Sequence, residues 1–104
     1  MTILAYVPDL MDRSKVAAAA PGAVFVARPD ALLDAVASGD LVVVDLGRPG
    51  VADALPALAA TGVRVIGFGS HVDRDTLEAA TAAGCSEVLA RSAFFRHLPA
   101  LLAP

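Results

Sequence analysis

Five short apolar runs punctuate the chain: Thr2–Val7, Ala23–Ala27, Leu41–Val44, Val63–Phe68 and Glu87–Leu89. They are rich in Val, Ile, Leu and Phe, and their apolar positions are continuous rather than alternating with polar ones. A strand with one face in water alternates; a strand covered on both faces does not. The runs therefore predict strands of a parallel sheet sandwiched between helices.

Turn and capping residues mark five helices between and after them. Asp9 stands where an N-cap accepts the first free N–H groups of a helix that ends at Pro21-Gly22. Pro29 and Asp30 open a second, with Leu32, Leu33 and Val36 on one side and Gly39 near its end. A third spans roughly Val51–Ala60 and closes at Thr61-Gly62. A fourth begins near Asp73–Asp75, where Asp75 and Glu78 have capping-box spacing, and stops at Gly84. The fifth carries Phe95, Leu98, Leu101 and Leu102 at helical spacing; Pro99 must fall in its first turn, which places the start near Phe95.

Strict alternation of strand and helix with short loops predicts right-handed crossovers and an α/β fold. Five strands in a chain of this length suit a flavodoxin-like sheet of order 2-1-3-4-5, with helices on both faces. In such sheets ligands sit beyond the carboxyl ends of the strands, at the switch point between strands 1 and 3. The candidates there are Asp9 after strand 1, Asp45 to Gly50 after strand 3, Gly69, Ser70 and His71 after strand 4, and Arg91 and Ser92 after strand 5.

Composition narrows the classes. Hydrophobic residues make up 57% of the 104 residues and charged residues 18%, which excludes disorder and predicts one domain, residues 1–104, around a single core. About a fifth of the chain is alanine, which favours close helix packing over a bulky aromatic core. A net charge of −3 argues against a nucleic-acid partner, which would demand clustered Lys and Arg. Cys85 is the sole cysteine, so neither a disulfide nor a cysteine-based zinc site can form. No basic segment precedes the first apolar stretch and no run reaches membrane-spanning length, so a cytoplasmic protein with no membrane partner is expected.

Asp45 directly follows Leu41-Val42-Val43-Val44, and Pro49 comes four positions later. The segment Asp45-Leu46-Gly47-Arg48-Pro49 resembles the phosphoacceptor loop of CheY-like receiver domains of response regulators, where Asp-Leu-x-x-Pro ends the third strand. All five strands and helices follow that family in order, over nearly the whole chain. The resemblance implies that Asp45 stands at the phosphoacceptor position. Receivers also carry an acidic pair ending strand 1 that holds magnesium. Here those positions are Val7 and Pro8, which offer the metal no oxygen ligand; Asp9 lies one residue further on. The family's Ser/Thr after strand 4 is Gly69, with Ser70 displaced by one. Its Lys-Pro after strand 5 is Arg91-Ser92, and a planar guanidinium does not replace an ammonium. Phosphoryl transfer rests on positioning and charge neutralisation, much of it from the metal. The resemblance thus implies a degenerate pseudo-receiver with no cofactor, in which Asp45 pairs with Arg91 across the top of the sheet.

Other signals are weaker. Gly67-Phe68-Gly69 lacks the third glycine of a dinucleotide loop and follows the fourth strand, so a tight turn at Gly69 with Ser70 bonding locally is expected instead. His71 is a candidate pH-sensitive contact, but His71 and His97 make no metal-ligand spacing. Val7-Pro8-Asp9-Leu10-Met11 is unlike a flavin phosphate loop, and the Asp-x-His-x-x-Gly loop of cobalamin binders is missing. Cys85 reads as a small buried thiol. Phe94 and Phe95, adjacent in a helix, diverge by about 100°; either one of them is partly exposed, as an anchor for a partner protein or a homodimer seam, or the pair straddles the last helix and loop with both rings largely buried.

The expectation is a non-enzymatic, stand-alone pseudo-receiver acting through protein–protein contact and independent of phosphorylation. One alternative is a divergent receiver still phosphorylated on Asp45, with magnesium between Asp9 and Asp45. Another is a module that binds a small anionic ligand in the switch-point cleft, formed by Asp9, Pro49, Ser70, His71, Arg91 and Ser92, with Arg91 as the clamp.

Overall fold

The computed structural model describes residues 1–103; Pro104, the last residue of the single expected domain, lies outside them. Strands β1 (Ile3–Tyr6), β2 (Val24–Phe25), β3 (Leu41–Asp45), β4 (Arg64–Gly69) and β5 (Glu87–Ala90) form one parallel sheet in the order β2-β1-β3-β4-β5. The helices are α1 (Leu10–Ala19), α2 (Asp30–Ala35), α3 (Val51–Ala60), α4 (Arg74–Ala82), α5 (Arg91–Arg96) and α6 (Leu98–Leu101). This is the expected flavodoxin-like topology. Among the described residues no helix is long and apolar enough to cross a membrane.

The continuous apolar runs have their physical cause in the two-sided burial of the central strands: every residue of β1 and β3 is buried. Side chains alternate between faces along a strand. Ile3, Ala5, Leu41, Val43, Ile66 and Phe68 therefore face α1, α5 and α6, while Leu4, Tyr6, Val42, Val44 and Val65 face α2, α3 and α4. Register places Asp45 beside Phe68, so the alternation that buries Val43 under α1 and α5 sends Asp45 the same way at the carboxyl edge.

Two boundaries and one cap depart from the pattern. β2 shrinks from the expected Ala23–Ala27 to two residues, because it is an edge strand paired only with β1, through Leu4–Val24 and Ala5–Phe25, and Val24 is exposed. The N-cap of α4 is Asp73, not Asp75: its carboxylate accepts the Thr76 N–H at 3.3 Å and the Thr76 hydroxyl at 2.7 Å. The last helix starts at Arg91 rather than near Phe95, directly after an extended Ala90, and breaks at His97. Pro99 has no N–H to give the Phe95 carbonyl and disfavours helical geometry at the residue before it. The helix therefore stops and restarts as α6, with Pro99 in the new first turn as its chemistry requires.

Candidate functional site

The carboxyl ends of β1, β3, β4 and β5 bring the switch-point residues to one edge of the sheet. Asp9 caps α1: its Oδ1 accepts the N–H groups of Met11 and Asp12, each at 3.0 Å. The Asp12 hydrogen bond foremost, then that of Met11 and the nearby charges of Arg91 and Arg48, hold the Asp9 carboxyl below its ordinary range against a contrary push from burial. The cap thus consumes the carboxylate that lies nearest the position of a receiver's acidic pair.

Asp45, buried at the end of β3, has both oxygens engaged by its own loop. Oδ1 accepts the Gly47 N–H at 3.1 Å, and Oδ2 accepts from Arg48 Nε at 3.2 Å. The expected partner, Arg91, is elsewhere. Its guanidinium is bonded to Asp12 in the first turn of α1. The correction has a simple physical cause. Arg48 is three residues from Asp45 in the same loop and needs little chain ordering to reach it, whereas Arg91 opens α5 opposite α1, where Asp12 is fully buried and in need of a counter-charge. The Asp12 hydrogen bond is the chief reason Arg91 is held even more firmly protonated than usual; Asp45 and Asp9 add to it through space.

Asp12 is the functional-edge residue that the sequence pattern did not single out. The signal was present: Asp12 lies four residues before Val16, the other buried residue of α1, and residues four apart share a helix face. A carboxylate on the buried face of an alanine-rich helix requires a cation, and Arg91 supplies it while stacking over aromatic rings. Its Cζ lies 5.7 Å from the Phe68 centroid and 5.3 Å from that of Phe95, within cation–π range.

The remaining candidates separate. Pro49, Ser70, His71 and Ser92 are exposed, and among the described residues none of them hydrogen-bonds Asp45. Ser70 acts locally, accepting the Val72 N–H at 3.4 Å. Cys85 is half-buried and burial pushes its thiol pKa up, which makes it a poor nucleophile. Phe94 is not a surface anchor. It is fully buried and stacked on Phe68 with centroids 4.4 Å apart and planes at 16°. Phe95 packs edge-on against both rings, at 5.3 and 5.0 Å, with Lys15 and Arg91 over it. The neighbouring ring of Phe68 gives both phenylalanines an aromatic partner, with Phe94 inside the core and Phe95 partly exposed at its border.

The acids at this edge are each engaged by the chain itself. Val7 and Pro8 end the β1 segment, Asp9 is spent on capping, Asp12 on Arg91 and Asp45 on Gly47 and Arg48. Among the described residues no three His, Cys, Asp or Glu side chains gather closely enough to hold a metal ion. The edge is a set of self-neutralised carboxylates: each buried acid has its own arginine.

No family model and no curated protein sequence matches the chain. Solved structures do. The phosphorylated cyanobacterial phytochrome response regulator RcpA superposes with a TM-score of 0.70 at 13% identity, over 96% of this chain and 86% of that one. A putative CpaE2 pilus assembly protein from Sinorhizobium meliloti superposes with a TM-score of 0.60 at 26% identity, over 92% of this chain and 95% of that one. The fold is thus receiver-like.

Proposed function

We propose that the chain is a signalling protein of receiver fold that works by binding another protein, without catalytic turnover and independently of phosphorylation at Asp45. The observation that carries this is the closure of Asp45 upon its own loop, with one oxygen on the Gly47 N–H and the other on Arg48. To attack a phosphoryl donor, the carboxylate would have to shed Arg48, whose charge draws electron density from it. It would also have to manage the incoming phosphoryl charge without the second carboxylate and metal that the chemistry relies on. The arginines instead tie the β1–α1, β3–α3 and β5–α5 junctions into fixed ion pairs, Arg48 with Asp45 and Arg91 with Asp12, that need no phosphoryl group. Arg91 is likewise a poor clamp for a small anion, since Asp12 competes for the same guanidinium. The near-complete mutual coverage with a pilus assembly protein at 26% identity favours a role in an assembly of proteins over one in a phosphorelay, with the cytoplasm as the expected compartment.

Incubation with acetyl phosphate and magnesium, followed by intact mass measurement, tests this. No phosphoryl adduct is expected. An adduct that forms readily and disappears in Asp45→Asn would overturn the proposal in favour of a divergent but working receiver.

A further inference from the structure

We propose that the groove between the amino-terminal halves of α3 and α4 is the docking site for a basic, aliphatic segment of a partner protein. This rests on the reading of the chain as a protein-binding module and locates the contact.

The groove has a volume of about 560 Å³ and originates in the way the two helices meet. At their carboxyl ends they touch: a Cβ on Gly84, just past α4, would lie 2.8 Å from the Ala59 Cβ of α3, and Gly84 has φ of +105°. Only glycine permits so close an approach at that backbone angle. Toward the amino-terminal ends a space opens between the helices. Ala52 of α3 and Ala79 of α4 line the space, and methyl groups are too short to fill it. The floor is aliphatic, formed by Leu46, Leu55 and Ala80, all buried.

Charge decides the occupant. Asp53, Asp73 and Asp75 line the groove, all exposed, and its only basic lining residue is Arg48, which is already paired with Asp45. Among the described residues, none of the three acids is in a salt bridge. Asp53 and Asp75 beside an apolar floor, with Asp73 adding its charge while its oxygens cap α4, match aliphatic side chains flanked by Lys or Arg. A small-molecule site would place a few convergent polar groups inside the cavity. Here the charges are on the rim and the interior is aliphatic, the anatomy of an apolar protein contact with a polar surround.

The full chain, isotope-labelled, is titrated with short synthetic peptides of alternating Lys-Leu, Glu-Leu and Lys-Ser, and with spermidine, while backbone amide signals are followed. The Lys-Leu peptide is expected to move the signals of residues 47–55 and 73–80 and to bind more tightly than the other three probes. Asp53→Lys with Asp75→Lys should weaken it about tenfold or more, the loss of two exposed ion pairs. Ala79→Leu, which fills the groove without changing charge, should also weaken it, so the outcome does not hang on one variant. Equal binding of Glu-Leu, shifts confined to other surfaces, no binding, or spermidine binding as tightly as Lys-Leu would each overturn the proposal; the last would mark a polyamine site. Labelling by acetyl phosphate would remove the functional reading and leave the groove result standing, whereas failure at the groove without labelling removes the groove alone.

Discussion

The two faces of the sheet are filled by different means. On the α1/α5/α6 face, Phe68, Phe94 and Phe95 interlock with ring centroids 4.4 to 5.3 Å apart, and Leu98 and Leu102 complete the layer. On the α2/α3/α4 face the side chains are Leu, Val and Ala with one Tyr. The alanine-rich composition leads one to expect close helices in place of an aromatic core. That holds for the second face only where Gly84 meets Ala59, and it fails on the first. Large rings close a face; short side chains bring helices together at one point and leave them apart at another. The open end of the alanine face is where the groove lies.

Truncating one side chain on each face should break this symmetry most. Phe94→Ala removes a fully buried ring with no neighbour free to collapse into its place. A loss of about 3–5 kcal/mol is expected, including about 1 kcal/mol of ring stacking. Leu55→Ala, on the groove floor, deletes a side chain that borders open space, and its cost should fall near the low end of the large-to-small range, about 2 kcal/mol. Urea denaturation of the two variants gives the comparison directly; equal losses would show the alanine face to be as tightly filled as the aromatic one.

A smaller contrast separates the two arginines at the carboxyl edge. Arg91→Met leaves Asp12, whose side chain is 3% exposed, without its cation. Because the arginine itself is 45% exposed and solvent screens it, the expected loss is about 1–2 kcal/mol. Arg48→Met leaves Asp45 with the Gly47 N–H still in place and should cost less than about 1 kcal/mol. The same denaturation measurement reads both. A larger loss for Arg48 would mean that the Asp45 loop depends on its pair more than Asp12 does.

The smallest effect is one of pH. The Asp9 carboxyl lies below its ordinary value in the folded chain, so on acidification the unfolded chain takes up the proton first. The stabilisation is present above the unfolded value and is lost as pH falls through the folded one. Asp9→Asn keeps the cap acceptor but no titrating charge, and should flatten the acid limb of a stability profile recorded by urea midpoints. An unchanged acid limb would show that the cap does not titrate.

How much of this was legible in the sequence depends on the range of the forces involved. Strand order followed from local periodicity and short loops, and the cap at Asp9 followed from neighbouring residues alone. The edge constellation did not, because which arginine meets which acid is settled by tertiary placement. Asp45 and Arg91 are both at the expected edge, yet each found another partner: Arg48 by proximity in sequence, Asp12 by burial. The surface role expected for the Phe94–Phe95 pair is narrowed for the same reason: Phe94 is buried and only Phe95 keeps partial exposure. Angular divergence on a helix is a local property, while a third ring at Phe68 waiting beneath both is not. Aspartate at position 12 could have been found from its helical register with Val16, had a polar residue on a buried face been taken as a demand for a counter-ion.

The two-residue β2 limits how another molecule can join this one. An outer strand normally presents a row of free backbone donors and acceptors on which a foreign strand can continue the sheet. Here that row is two residues long, and the chain turns away at Arg28-Pro29 toward α2. Main-chain annealing at this border has almost nothing to grip, so recognition there must be written in side chains.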